Sequence, residues 1–155
     1  MTGLLEGKRL LITGVITDAS IAFHVAKVAQ EQGAQVVLTG FGRMSLVERI
    51  AKRLPNPAPV VELDVQNQEH LDGLADSVRE HVDGLDGIVH SVAYGNPETL
   101  LGGKFLEGPW PDVAQAVQVS AYSLMSLTQA CRPLMPDSVW SRSARGSCRP
   151  LQAER

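Results

Sequence analysis

The sequence predicts an α/β fold, a doubly wound parallel sheet flanked by helices, and three observations predict it. Strand and helix signals alternate along the chain as far as Pro136. They follow one another without internal repeats or low-complexity linkers. The first strand, Leu10, Leu11, Ile12 and Thr13, runs into Gly14 and then into helix spacing that starts near Ser20. Strand–helix–strand units of this kind build a parallel sheet with right-handed crossovers.

Each element has its own signal. After the first strand, Ile21, Val25, Val28 and Ala29 form a helical stripe, with Lys27, Gln30 and Glu31 turned away and Gly33 as the stop. "AQVVLTGF" (34–41) reads as a second strand. Leu46, Val47, Ile50 and Leu54 mark a short helix that Pro55 ends. "PVVELDV" (59–65) is the third strand. Asn67 is the N-cap of the next helix, with Glu69 in its first turn and Leu71, Leu74, Ala75, Val78 and Val82 at helical spacing. "LDGIVHSVA" (85–93) is the fourth strand, followed by a Gly/Pro-rich loop and a helix that starts near Pro111 or Asp112.

That last helix is unusual, because residues 113–131 carry no charge. Three Gln, three Ser and a Thr make the stretch too polar for a lipid-facing span. A helix uncharged on every face is expected to be buried on more than one side.

The totals exclude several classes. The 155 residues leave room for one domain, and a net charge of -3 gives no basic field for nucleic acid or an anionic membrane. Two cysteines, Cys131 and Cys148, make neither a disulfide framework nor a zinc pattern, so a reducing cytoplasm is the expected compartment. The start, "MTGLLEGKRLL", lacks the features of a signal peptide.

The stretch "LLITGVITDASIAFHVA" (10–26) carries the chemistry. A dinucleotide fingerprint uses one glycine for the tight turn, a second for pyrophosphate approach and a third for helix packing. Gly14 serves the first role. Ser20 caps the helix and offers a hydroxyl, the Ser20 and Ile21 N–H groups sit at the positive helix end, and Ala22 is small enough for close packing. Read alone, the stretch is also what any strand–helix turn with Gly and Ser looks like.

The wider sequence decides between these. "TGVITDASIAFHVAKVAQEQGA", "LTGF", "ELDV", "LDGIVHSVAYG" and "VSAYSL" occur in an order and spacing that resemble the enoyl-acyl-carrier-protein reductases. These are divergent short-chain dehydrogenases of bacterial fatty-acid synthesis with a Rossmann-type fold, and the actinobacterial members look most similar. The resemblance covers residues 1 to about 136 and explains the missing glycines, since the family uses an "S-I-A" helix start.

It implies NADH as cofactor and an enoyl thioester, linked to acyl carrier protein or coenzyme A, as substrate. Gly14, Val15, Ser20 and Ile21 would surround the pyrophosphate and nearby ribose. Phe41 would cover the adenine-ribose end, while Asp64 and Val65 would hold the adenine. Ser91, Val92 and Ala93 would line the ribose and nicotinamide side, with Val119 packing near the cofactor. Tyr94 and Gly95 would lead into the acyl pocket. The uncharged helix would pack at the interface of a homo-oligomer.

Simpler roles stand beside these. Phe41 can be a strand-end core aromatic, Asp64 a cap for the following helix, and His90 a structural histidine. Arg43 can meet a 2′-phosphate, as an NADP site requires, or be a solvated loop charge. Neither choice of nicotinamide cofactor follows from the site itself.

The resemblance also implies a tyrosine that stabilises the enolate and a lysine six or seven residues later that binds the nicotinamide ribose. The tyrosines here are Tyr94 and Tyr122, the last lysine is Lys104, and Tyr122 has no lysine at +4 or +7. No catalytic residue is therefore assigned, and the chain is expected to be inactive alone. The Rossmann-type order is expected to be truncated after the fifth helix, with residues 1–136 as the N-terminal part of the dinucleotide-binding domain. The tail, residues 137–155, carries four Arg and no sustained period. It is expected to be disordered or the product of a shifted reading frame. Another short-chain dehydrogenase acting on a carbonyl, or a non-catalytic nucleotide-binding module, remains the alternative; "SIAFH" and "HSVAYG" argue against the first.

Overall fold

The computed structural model describes residues 3–136; the tail from 137 to 155 lies outside the described residues. Four parallel strands form one sheet in the order β3-β2-β1-β4. They are β1 (Arg9–Ile12), β2 (Gln35–Gly40), β3 (Val60–Glu62) and β4 (Gly87–Val89). The helices are α1 (Ile21–Glu31), α2 (Met44–Ala51), α3 (Gln68–Arg79), α4 (Trp110–Val117) and α5 (Ser123–Cys131). A π turn, Gln118–Tyr122, joins the last two. The α/β expectation is borne out. No helix among the described residues is long and apolar enough to cross a membrane.

Period-two alternation supplies both faces of the sheet. Leu11, Val37 and Val61 point into a cluster with Leu71, Leu74 and Val78 of α3 and Leu127 and Cys131 of α5. Ile12, Val36 and Leu38 point the other way, against Phe23, Ala26 and Ala29 of α1 and Ile50 of α2. Burial pushes the Cys131 thiol up to about 12, so it is an inert core group.

Three expectations need correction. The first helix buries Ala22, Phe23, Ala26, Ala29 and Gln30, whereas Ile21 and Val28 are exposed. The alanines let the helix lie close to the sheet. Gln30 tolerates burial because its amide and carbonyl pair with the backbone O and N of Asn56 at 2.8 and 3.0 Å. Second, the fourth strand is short. It pairs with β1 only across Leu10–Ile12, and beyond it the Ser91 N–H goes to the buried Thr13 hydroxyl at 2.9 Å. Third, the uncharged helix is not buried on several sides within this chain. Its inward stripe is Val119, Ser123, Leu127 and Cys131, while Val117, Leu124 and Met125 are exposed.

Two contacts tie β4 to β1. At the lower end, Asp86 accepts from the Arg9 N–H and Nε, both at 3.0 Å, and Lys8 lies 3.5 Å from its other oxygen. At the upper end, Gly14 has φ +84°, and a Cβ on it would stand 1.9 Å from the Ser91 carbonyl oxygen.

Each contact yields a prediction. Gly14→Ala is expected to destabilise the chain by more than the ~1–3 kcal/mol of left-handed backbone strain alone, because the Ser91 clash adds to it. Urea unfolding measures this; an unchanged midpoint would refute the close approach. Burial pushes the Asp86 carboxyl up, but the Arg9 hydrogen bonds and the Arg9 and Lys8 charges outweigh it and hold the group below the ordinary range. Its contribution is therefore complete above an unfolded-state pKa of about 3.9 and is lost as pH falls through the lower folded value. Asp86→Asn is expected to cost about 1–3 kcal/mol at neutral pH. Thermal melts of parent and variant should converge in acid, whereas a pH-independent gap would contradict this linkage.

Candidate functional site

A cleft of about 680 Å³ opens at the C-terminal ends of the strands. Open α/β sheets bind ligands there, where the chain leaves adjacent strands in opposite directions. β1 is such a point, with β2 on one side and β4 on the other.

The cleft gathers nine of the residues singled out in the sequence: Gly14, Val15, Phe41, Asp64, Val65, Val92, Ala93, Tyr94 and Val119. Gly14 and Val15 leave β1, and Val15 is buried. Phe41 directly follows β2 and is 60% exposed, so it is a wall of the cleft rather than a core aromatic. Asp64 follows β3 and, instead of capping α3, closes the turn that precedes it. One carboxylate oxygen accepts the Gln66 N–H at 2.9 Å, and its carbonyl accepts Asn67 N–H at 3.0 Å just before α3. Asp64 also lines the cleft. Asn67 caps α3 by accepting from Glu69 N–H at 2.9 Å.

Four residues fall outside this lining. Ser20 caps α1: its hydroxyl donates to the Thr17 carbonyl at 2.7 Å and accepts the Phe23 N–H at 3.3 Å. Its own N–H also goes to the Thr17 carbonyl. The donors that α1 leaves for an anion are thus the first-turn N–H groups of Ile21 and Ala22, which have no intrahelical acceptor. Ile21 itself is largely exposed. An ion pair between Asp18 and Arg53 braces the same loop. Ser91 packs against Gly14. Gly95 lies in an adjoining recess of about 340 Å³, walled by Ala93, Tyr94, Leu100, Leu101, Phe105 and Ala116.

Sequence reasoning missed several wall residues. Thr39 lies on β2 and is detectable only by its place near that strand's C-terminal end. Gln66 has no local signal. Its side-chain amide donates to Gln118 Oε1 at 3.4 Å, and its Oε1 accepts from the Gln115 side-chain amide at 3.2 Å, so it closes the cleft against α4 and the π turn. Arg43 lines the mouth of the cleft and is exposed, as a solvated loop charge is. His90, expected to be structural, lies outside the lining, with Nε2 2.7 Å from Ser123 Oγ.

The chemistry of the cleft fits a dinucleotide. Apolar walls at Val15, Phe41, Val65 and Val119 suit flat rings, a carboxylate stands at one end, and free helix N–H groups stand near β1. Among the described residues no lysine lines it. Tyr122 lies instead on the groove between α3 and α5.

Residues 14–144 match the family described as enoyl-(acyl carrier protein) reductase. The chain is 55% identical over 139 residues to the NADH-named enoyl-acyl-carrier-protein reductase of Mycolicibacterium smegmatis, covering 87% of this chain and 51% of that protein. The corresponding protein of Mycobacterium avium is 53% identical with the same coverage. An NADPH-named member from Staphylococcus aureus is 34% identical, covering 86% of this chain and 53% of its own length. The chain therefore spans about half the length of these curated relatives. The sequence resemblance, the strand-end cleft and the extent of this match lead to one conclusion: the chain belongs to the enoyl-acyl-carrier-protein reductase family.

Proposed function

We propose that residues 1–136 build the cofactor-binding half of an NADH-dependent enoyl-acyl-carrier-protein reductase. The observation that carries the reading is the convergence of nine resemblance-assigned residues, drawn from the ends of β1, β2, β3 and β4 and from the π turn, on one cleft. Bound NADH would supply the hydride delivered to the β-carbon of a 2-enoyl thioester.

The chain's own residues bind and orient. Gly14 and Val15 with the Ile21 N–H hold the pyrophosphate, and Ser20 fixes that helix start. Asp64 accepts from the adenine amine with its oxygen outside the Gln66 turn, between Val65 and Phe41. Ser91, Val92 and Ala93 shape the nicotinamide side over Val119. Tyr94 and Gly95 lead into the apolar recess, which suits the acyl chain of a substrate carried on acyl carrier protein or coenzyme A. The exposed uncharged face of α4 and α5 fits a homo-oligomer contact, and the compartment is cytoplasmic. NADH is preferred over NADPH because the two mycobacterial relatives, at much the higher identity, are named for it.

Binding and catalysis separate in the test. The 155-residue chain is expected to bind NADH more tightly than NADPH, and Asp64→Ala should weaken NADH binding by about tenfold, the effect of one hydrogen bond to a charged group. Titration by nicotinamide fluorescence reads both. A folded chain that binds neither nucleotide would overturn the cofactor assignment.

By itself the chain should not reduce a crotonyl thioester, for want of a lysine at the cleft. Joined to the C-terminal half of the Mycolicibacterium smegmatis relative, residues 1–136 should support NADH oxidation by that substrate. A soluble chimera that binds NADH but never reduces an enoyl thioester would favour a different dehydrogenase chemistry.

A further inference from the structure

The segment from His90 to Tyr94 crosses the cleft's nicotinamide side, yet β4 has ended at Val89 and no strand ladder holds it. Side chains hold it instead. Ser91 N–H is bound by Thr13 Oγ1 at 2.9 Å. Tyr94 N–H is bound by Ser120 Oγ at 3.1 Å. Between α5 and the first residue of the segment, His90 Nε2 lies 2.7 Å from Ser123 Oγ.

The π turn explains why that serine is available. Ser123 N–H reaches back to the Gln118 carbonyl, one residue further than in an α-helix. Its hydroxyl takes over the Val119 carbonyl at 2.7 Å, the group its own N–H would hold in α geometry. Ser123 has one hydroxyl proton, and a carbonyl only accepts. The proton therefore goes to Val119, and His90 Nε2 must carry its own proton and donate to Oγ. The opposite tautomer would set two oxygens lone pair to lone pair at 2.7 Å. Ser123 is fully buried, so this bond forms away from competing water.

We infer that His90 and Ser123 form a positioning pair that sets the Ser91–Ala93 segment at its working height over Val119, the cleft residue whose carbonyl Ser123 also holds. Neither side chain lines the cleft; the pair acts through the segment and through Val119. The inference rests on the cofactor reading above, and it assigns the pair to the nicotinamide end alone. The adenine end, at Phe41, Asp64 and Val65, is built by β2 and β3 and has no part in it.

That division gives the test. The full chain and its His90→Ala, His90→Gln and Ser123→Ala variants would be titrated with NADH and with ADP, which has the adenine end but no nicotinamide. His90→Ala and Ser123→Ala are expected to lose about tenfold in NADH affinity while ADP affinity stays within about twofold. His90→Gln, whose amide can donate from nearly the same place as Nε2, should regain most of the loss. Without ligand, the Ser91, Val92 and Tyr94 amide signals in 1H–15N spectra should shift in His90→Ala, and the Asp64 and Val65 signals should not.

Equal losses for NADH and ADP, no rescue by glutamine, or unmoved amides at 91–94 would overturn the pair's role and leave the cofactor reading standing. A folded parent that binds neither nucleotide overturns both. Should Ser123→Ala fail to fold, the half-buried His90 and its two substitutions carry the comparison.

Discussion

The approach of Gly14 to the Ser91 carbonyl is the contact on which the upper end of the sheet depends. β1 and β4 are far apart in sequence, and their ladder stops at Ile12 and Val89. Beyond it the two chains stay together because Gly14 lacks a Cβ and Thr13 supplies a buried hydroxyl. That hydroxyl donates to the Val89 carbonyl at 3.1 Å and accepts the Ser91 N–H. From this joint one chain turns toward α1 and the other toward the loop before α4. The cleft is the space that their divergence leaves. A side chain at position 14 would separate the same two chains, so the residue that looks like a cofactor glycine is first a packing glycine.

The cleft's character follows from the layers beneath it. Each strand feeds alternate side chains into the clusters above and below the sheet, so the strand ends emerge between two dry, packed layers. Polar groups then enter from turns rather than from the sheet: Asp64 from the turn before α3, Gln66 beside it, and the free N–H groups of α1. Such a site has rigid apolar walls and a few placed polar atoms, a combination suited to flat rings joined by an anionic bridge.

Where the sequence was legible, a local rule governed the outcome. Asn67 caps α3 because its side-chain oxygen can reach an N–H in the first turn, and the apolar spacing of α3 meets no competing demand. The stripe of α1 departs from its periodicity because periodicity weighs Ile21 and Val28 above alanine, whereas packing against a sheet rewards small residues. Gln30 was assigned to solvent because its partner, the backbone of Asn56, is remote in sequence. The same limit hid the roles of Gln66 and Thr13. Each depends on a contact between segments that no window of the sequence contains. The resemblance supplied what local rules could not, since it named strand-end residues together.

Charge distribution separates the faces of this chain that meet water from those that require cover. Where α3 borders the groove it carries the exposed Gln68, Asp72, Asp76 and Arg79, as a solvated face should. Elsewhere on the surface, α4 and α5 expose Val117, Leu124 and Met125 with no charge between residues 113 and 131. β4 beside them is only half-buried and, among the described residues, pairs on one edge alone. An open strand edge next to an uncharged helix face is unfavourable in water, because each invites association. His90 and Ser123 join that strand's end to that helix directly. A contact made on this side of the molecule would therefore bear on the pair that ties the 90–94 segment to α5, which couples that surface to the geometry of the cleft.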